Sequence, residues 1–173
     1  MSAVSDAISS IRAVRRFAET PLPDDAVRAI LNAGRRAQSS KNGQPRHFVA
    51  VREKQTLKQL SECGDFAGHL AGAALGVALV SPANEGEAFA WDMFDLGQST
   101  SFMQLEAWEL RIGSCIATMY HPEKAKGILG VPAEMRLELA ISFGYPEDAE
   151  MFTRPPRVGG RLTFDEVVHW ERW

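Results

Sequence analysis

Gln38-Ser-Ser-Lys-Asn-Gly-Gln-Pro45-Arg-His47-Phe-Val-Ala-Val-Arg52 passes within one stretch from a polar, turn-rich segment to a β-branched one. Residues 38–45 combine turn formers with little apolar surface, which suits neither helix nor strand and predicts an exposed working loop. Residues 47–52 have the content of a short strand. Before the loop, Asp24 or Asp25 can open a helix behind the extended Pro21-Leu22-Pro23, with Val27, Ile30, Leu31 and Gly34 on its apolar face and an end near Ala37. After the strand, Leu57 and Leu60 suit another helix. The order helix, loop, strand, helix predicts a domain that mixes helix and sheet.

The same reading extends outward. Residues from Ser5 to Ile11 begin as a short amphipathic helix, with Ser5 or Asp6 as N-cap. Leu75-Gly-Val-Ala-Leu-Val80 reads as a strand buried on both faces, bounded by Ser81-Pro82. From Glu85 to Arg111, the residues Trp91, Phe94, Phe102, Leu105 and Trp108 recur near multiples of 3.6, which predicts one helix of about seven turns. Leu96 and Leu110 fall off that stripe. Such a helix either crosses the core or packs on a second subunit. Arg111 to Tyr120 reads as a connection leading through His121-Pro122-Glu123 into a short helix that finishes at Leu129-Gly130. Leu137 to Phe143 alternates as a strand, and Thr163 with Glu166 forms a capping box near the end of the chain. Three or four strands and five or six helices are expected in a single domain spanning residues 1–173, without repeats or linker.

Composition narrows the function. The chain has 173 residues, 45% apolar and 24% charged, with nine prolines and fourteen glycines, which is the profile of an ordinary globule rather than a disordered or collagen-like chain. Its 19 basic and 22 acidic residues give a net charge of -3, too balanced for a nucleic-acid coat, so no nucleic-acid partner is expected. Cys63 and Cys115 lack the company of a zinc module or disulfide scaffold and read as buried free thiols in a reducing compartment. No secretory signal opens the sequence, and its most apolar run, Phe66 to Val80, contains His69 and falls short of the about 18 residues that suggest a span. A cytoplasmic protein with no membrane partner is expected.

Chemistry has few places to sit. Arg12, Arg15 and Arg16 stand together beside the end of a short helix, and their guanidinium groups suit an anion, although a solvated basic face has the same letters. Ser39, Ser40, Asn42 and Gln44 form a flat array of donors and acceptors. Residues 113–120 contain small side chains that let backbone N–H groups approach a ligand, or simply connect two helices. Arg154, Arg157 and Arg161 lie on a Pro- and Gly-rich arm able to wrap an anion. Dinucleotide, P-loop, zinc-protease and hydrolase signatures are absent from the sequence, and His47, His69, His121 and His169 are scattered, reading as surface or satisfied histidines rather than metal ligands.

Taken in order, these segments resemble the FMN-dependent nitroreductase family. The resemblance rests on Ile8-x-x-x-Arg12-x-x-Arg15-Arg16-Phe17 with Pro21-Leu-Pro, on Ile30-Leu-x-Ala-Gly34 and on Ser39-Ser-x-Asn42-x-Gln44-Pro45-x-His-Phe48-Val. It continues through Ile112-Gly-Ser-Cys115, His121-Pro-Glu-Lys124, Leu129-Gly-Val-Pro132, Phe143-Gly-Tyr-Pro146 and Glu166-Val-Val-His-Trp170. The resemblance implies an α+β, three-layer fold, a central mixed and mainly antiparallel sheet flanked by helices, and an intertwined homodimer with FMN at its interface. It also implies hydride transfer from NADH or NADPH to flavin N5 and onward reduction of a nitroaromatic, quinone or similar acceptor by a ping-pong route. By resemblance, Arg12 and Arg161 would hold the FMN phosphate, with Ala13 and Arg16 beside them. Arg15 would stabilise charge at flavin N1 and O2. Ser39, Ser40, Asn42 and Gln44 would line the ring or ribityl chain, partly from the partner subunit. The backbone of Ala117, Thr118 and Met119 would face N5. The flavin carries the reaction, so no side-chain nucleophile and no metal is implied.

The chain departs from the family pattern where Ile11 and Ala13 replace an arginine and a serine, which shifts phosphate binding toward Arg16, Arg157 or Arg161. Gln38 and Arg46 stand where Pro and Trp are common. The segment between Val80 and Trp91 is short, which implies a more open acceptor pocket. Alternatives within reach are a relative serving another acceptor, such as an enone, a halogenated aromatic or flavin itself, and a non-catalytic flavin-binding module.

Overall fold

The computed structural model of the chain describes residues 3–155 and 159–173, so Arg157 lies outside the described residues. In chain order the elements are α1 (Ala3–Ser10), α2 (Asp24–Arg36), β1 (His47–Val51), α3 (Lys54–Ser61), β2 (Leu75–Pro82), α4 (Gly86–Glu109), β3 (Gly113–Thr118), α5 (Pro122–Leu129), β4 (Met135–Gly144) and α6 (Phe164–Val167). The strands make one sheet in the order β1-β2-β4-β3, and every ladder is antiparallel. The parallel component is an isolated bridge between Ala13 and Ser114.

The pleat of β2 explains the three layers. Leu75, Val77 and Leu79 face a core built with α2 and α4, whereas Ala78 and Val80 face a second core built with α3 and α5. β4 changes parity midway. Leu79 pairs with Leu139 but Val80 pairs with Leu137, so Glu138 is an extra residue. That bulge lets Ile141 and Phe143 join the first core while Leu137 and Ala140 join the second. α3 is capped by the Glu53 carboxylate, which accepts the N–H groups of Gln55 and Thr56, and Gly130 ends α5 in the left-handed conformation at φ 65°. The capping box forms as expected, with Glu166 accepting the Thr163 N–H at 2.7 Å.

Two expectations are corrected. Residues 113–118 are a strand and not part of a helix-to-helix connection. Arg111 turns left-handed at φ 59°, and the Ile112 N–H closes back on the Ala107 carbonyl at 2.8 Å, which stops α4 and starts β3. The aromatic stripe of α4 is also not its core face. Trp91, Phe94 and Phe102 are 50%, 59% and 43% exposed, while Leu96 and Met103 are almost fully buried. The buried face includes Asp92, Asp95, Ser99 and Thr100, whose small or polar letters carry no hydrophobic signal, so the stripe seen in the sequence marks the outward face. Trp108 is the member of the stripe that is buried, with its indole N–H on Ser10 Oγ at 2.8 Å.

Candidate active site

β3 is an edge strand, and the chain after α1 runs beside its first half. Ala13 bridges Ser114, and the Val14 N–H donates to the Ser114 carbonyl at 2.9 Å. This approach requires Gly113, because a Cβ there would stand 2.6 Å from Val14 Cβ. Beyond Val14 the chain departs toward Phe17, which bridges Pro146. Backbone polar groups alternate sides along a strand, so Ile116 and Thr118 present theirs on the same outer edge as Ser114. No described strand pairs with them there. The Met119 N–H points the other way and donates to the Glu138 carbonyl at 2.8 Å. Ala117 and Met119 bury their side chains in the second core. Of the three positions singled out on this stretch, Thr118 presents its backbone on the outer edge together with Ile116, whereas the Ala117 and Met119 side chains are buried in the second core.

Arg15 is exposed beside this edge and forms no ion pair with any described carboxylate. Its charge reaches inward. Burial pushes the Cys115 thiol up and Arg15 opposes that rise, while burial also raises the Cys63 thiol. Both cysteines are free and buried, so neither is a thiolate at neutral pH. An aromatic disulfide reagent at pH 7.5 is expected to label neither in the folded chain and both in denaturant; rapid labelling without denaturant would contradict the burial.

Ala13, Arg15 and Arg16 line a small cleft of about 310 Å³ with Pro146 and Asp148. Arg12 faces Arg161 across a separate cleft of about 570 Å³. Arg12 is held there by its own bonds, from Nε to the Ser10 carbonyl at 3.1 Å and from the guanidinium to the Arg154 carbonyl at 2.6 Å. Arg12 and Arg161 therefore line one cleft, and the Arg154 carbonyl fixes Arg12.

The loop of Ser39, Ser40, Asn42 and Gln44 has a strained path. Lys41, Asn42 and Gln44 have φ of 49°, 55° and 50°, a cluster of left-handed residues without glycine that costs of order 1 kcal/mol or more at each. Its framework lies below and beside it. Buried Asp95 of α4 accepts the Ser40 N–H at 3.2 Å, and Ser39 Oγ accepts the Gln44 N–H at 3.0 Å. Arg46 closes the far end by donating to the Arg35 carbonyl at 3.0 Å and to the Ala37 carbonyl. A cation on the last carbonyls of α2 complements the helix dipole, so Arg46 acts as a cap where a stacking ring was the comparison. Gln44 lines a further cleft with Arg28, Arg35, His47 and Phe48, whereas no residue of the loop lines the clefts of Arg12 or Arg15. Within one chain the arginine sites and the loop stand apart.

His69 is the residue that sequence reasoning passed over. It is 8% exposed, with Nδ1 2.7 Å from Ser142 Oγ, but its Nε2 is buried with no hydrogen-bond partner among the described residues. It is thus neither a surface histidine nor a fully satisfied one. Its place in an apolar run was the available signal. Among the described residues, no group of three or more His, Cys, Asp or Glu is placed to hold a metal ion, and no helix is long and apolar enough to cross a membrane.

The nitroreductase family profile matches residues 8–64 and 65–145, and the chain belongs to that family. It is 29% identical over 168 residues to an Archaeoglobus fulgidus protein described as NADH dehydrogenase/NAD(P)H nitroreductase, covering 94% of each chain. A Thermus thermophilus protein named NADH dehydrogenase is 27% identical over 195 residues, covering 92% of this chain and 91% of that one. Among solved structures, the fold is shared with an FMN-dependent nitroreductase from Clostridium difficile at a TM-score of 0.86 and 23% identity, covering 98% of this chain and 99% of the other. The Vibrio harveyi NADPH:FMN oxidoreductase shares it at a TM-score of 0.87 and 19% identity, over 99% of this chain and 78% of the other.

Proposed function

We propose that the protein is an FMN-dependent oxidoreductase that draws on NADH or NADPH. The observation that carries this reading is Arg15, a cation without a carboxylate partner among the described residues, beside the edge of β3 at Ile116 and Thr118 with which no described strand pairs. The residues fit the group. Arg12 and Arg161 supply a cationic cleft for a phosphate, the open edge supplies backbone donors for a flat polar ring, and Arg15 supplies fixed positive charge. Bound FMN supplies two-electron chemistry between the nicotinamide donor and a nitroaromatic, quinone or similar acceptor in ping-pong turnover. The chain's own part is to bind, orient and stabilise charge. Arg15 favours the state in which the ring carries negative charge, and the bridge of Ala13 to Ser114 carries its segment alongside β3.

The purified protein is expected to retain a flavin absorption spectrum after added FMN and desalting, and to bleach anaerobically with NADH or NADPH. A protein that retains FMN but is not reduced by either nucleotide favours the reading as a binding module. Arg161→Ala is expected to raise the FMN dissociation constant at least tenfold with folding unchanged, measured by flavin fluorescence quenching. Unaltered affinity would move the phosphate site elsewhere.

We also infer that the working unit is a homodimer that unites the arginine sites of one protomer with the loop of its partner. Phe94 and Phe102 on α4 are exposed, and so are Phe164, Trp170 and Trp173 at the chain end, leaving large apolar side chains uncovered in a single copy. Phe94→Glu is expected to shift sedimentation velocity toward monomer and to release FMN. A monomeric wild type that holds FMN equally well would refute the shared site.

A further inference from the structure

His69 occupies the helical turn Gly68–Leu70 ahead of β2, against β3 and β4. Ser142 on β4 has one hydroxyl proton, and its Oγ donates to the Cys115 carbonyl on β3 at 3.3 Å. With that proton on the Cys115 carbonyl, His69 Nδ1–H donates to the same oxygen at 2.7 Å and Nε2 is left as a buried lone pair with no partner among the described residues. Ser142 from β4 meets the ring at Nδ1, and the Ile116 backbone from β3 and the Arg15 guanidinium from the segment after α1 act on its charge. Burial, then Arg15, holds the ring below the usual histidine range, and the Ile116 carbonyl pulls the other way.

These preferences oppose one another in a useful manner. A ring protonated on both nitrogens keeps Nδ1–H on Ser142, carries its added proton at the unpartnered Nε2, and is favoured by the Ile116 backbone. Burial and the nearby Arg15 charge disfavour the charged ring, and the Ile116 backbone alone favours it. A negative charge placed against Arg15 removes part of that penalty.

We propose that His69 is a redox-linked proton acceptor of the flavin pocket, taking one proton at Nε2 when the ring beside Arg15 acquires negative charge. The inference rests on the reading of Arg15 as the flavin cation. Hydride from the nicotinamide carries two electrons and a proton to the flavin, and the further proton on Nε2 comes from bulk water and returns to it on reoxidation. His69 so couples the donor half of turnover to proton uptake, through the backbone of the strand that borders the ring.

The test combines imidazole nitrogen NMR of His69 with potentiometry on the FMN-loaded protein, using wild type and His69→Asn, which keeps an amide donor for Ser142 but takes no proton. At pH 7 the wild-type signal is expected to report a neutral ring with oxidised FMN and a doubly protonated ring after anaerobic reduction. Between the two ring pKa values, the wild-type midpoint potential is expected to fall about 30 mV per pH unit more steeply than that of His69→Asn, the equivalent of one more proton per two electrons. Retained, reducible FMN with an unchanged His69 signal overturns this inference alone. A folded chain that retains no FMN overturns the flavin reading, and this inference with it.

Discussion

Arg15→Ala is expected to leave the chain folded and to slow anaerobic flavin reduction by about 10²- to 10³-fold, the loss typical when a preorganised charge donor is taken from a site of developing negative charge. The residue is exposed and makes no ion pair with a described carboxylate, so its removal deprives the fold of little. Its backbone is set by the Val14 bond to Ser114 and remains when the side chain is cut. Stopped-flow bleaching of the flavin band measures the rate directly, and far-ultraviolet circular dichroism separates it from folding. Arg15→Lys is expected to recover part of the rate, since it restores charge without the planar fork. Reduction of the alanine variant at the wild-type rate would remove Arg15 from the chemistry.

Gly64→Ala is expected to cost about 3 kcal/mol of stability, the upper range for a small-to-large change in a packed site. A Cβ at residue 64 would lie 2.2 Å from the Thr118 carbonyl oxygen, which is backbone and not the tip of a flexible side chain. That carbonyl has little room to retreat. The next residue, Met119, is bonded to Glu138 at 2.8 Å, and the His121 N–H returns to the Cys63 carbonyl at 2.9 Å. Both strand end and turn are pinned, so the collision must unseat one of them. For a chain of this size the loss corresponds to a fall in Tm of about 10 °C. Urea unfolding gives the check, with a lower midpoint at unchanged slope as the expected result. A wild-type midpoint would mean that the turn at Gly64 moves freely. Because Thr118 borders the open edge of β3, the same variant is expected to weaken FMN binding.

Much of this architecture was legible in the letters, and the misses have physical causes. Asp24–Arg36, Lys54–Ser61 and the strand at Leu75 were readable because their apolar positions obey one period and carry clear start or stop residues. β3 was not, since Ser114, Cys115 and Ala117 are small enough to suit a tight connection as well as a strand, and the deciding facts are the left-handed Arg111 and the pairing with β4. The buried face of α4 was hidden because Asp95 and Ser99 look solvated in one dimension. Asp95 is buried for the loop it anchors, a partner 55 positions away in sequence. The arginine cluster and polar loop were visible as composition. Their division into separate clefts was not, because it depends on where the chain leaves β3 after Val14. His69 showed only as a polar letter in an apolar run, since its surroundings come from distant segments.

The framework of the strained loop also has a practical consequence. Asp95 and Arg46 grip it through backbone groups, at the Ser40 N–H and at the carbonyls that close α2. Neither grip depends on the side chains of Lys41 or Asn42. The loop is therefore an exchangeable cassette, in which a library of short replacements can inherit the path from its surroundings while presenting new chemistry to whatever molecule enters.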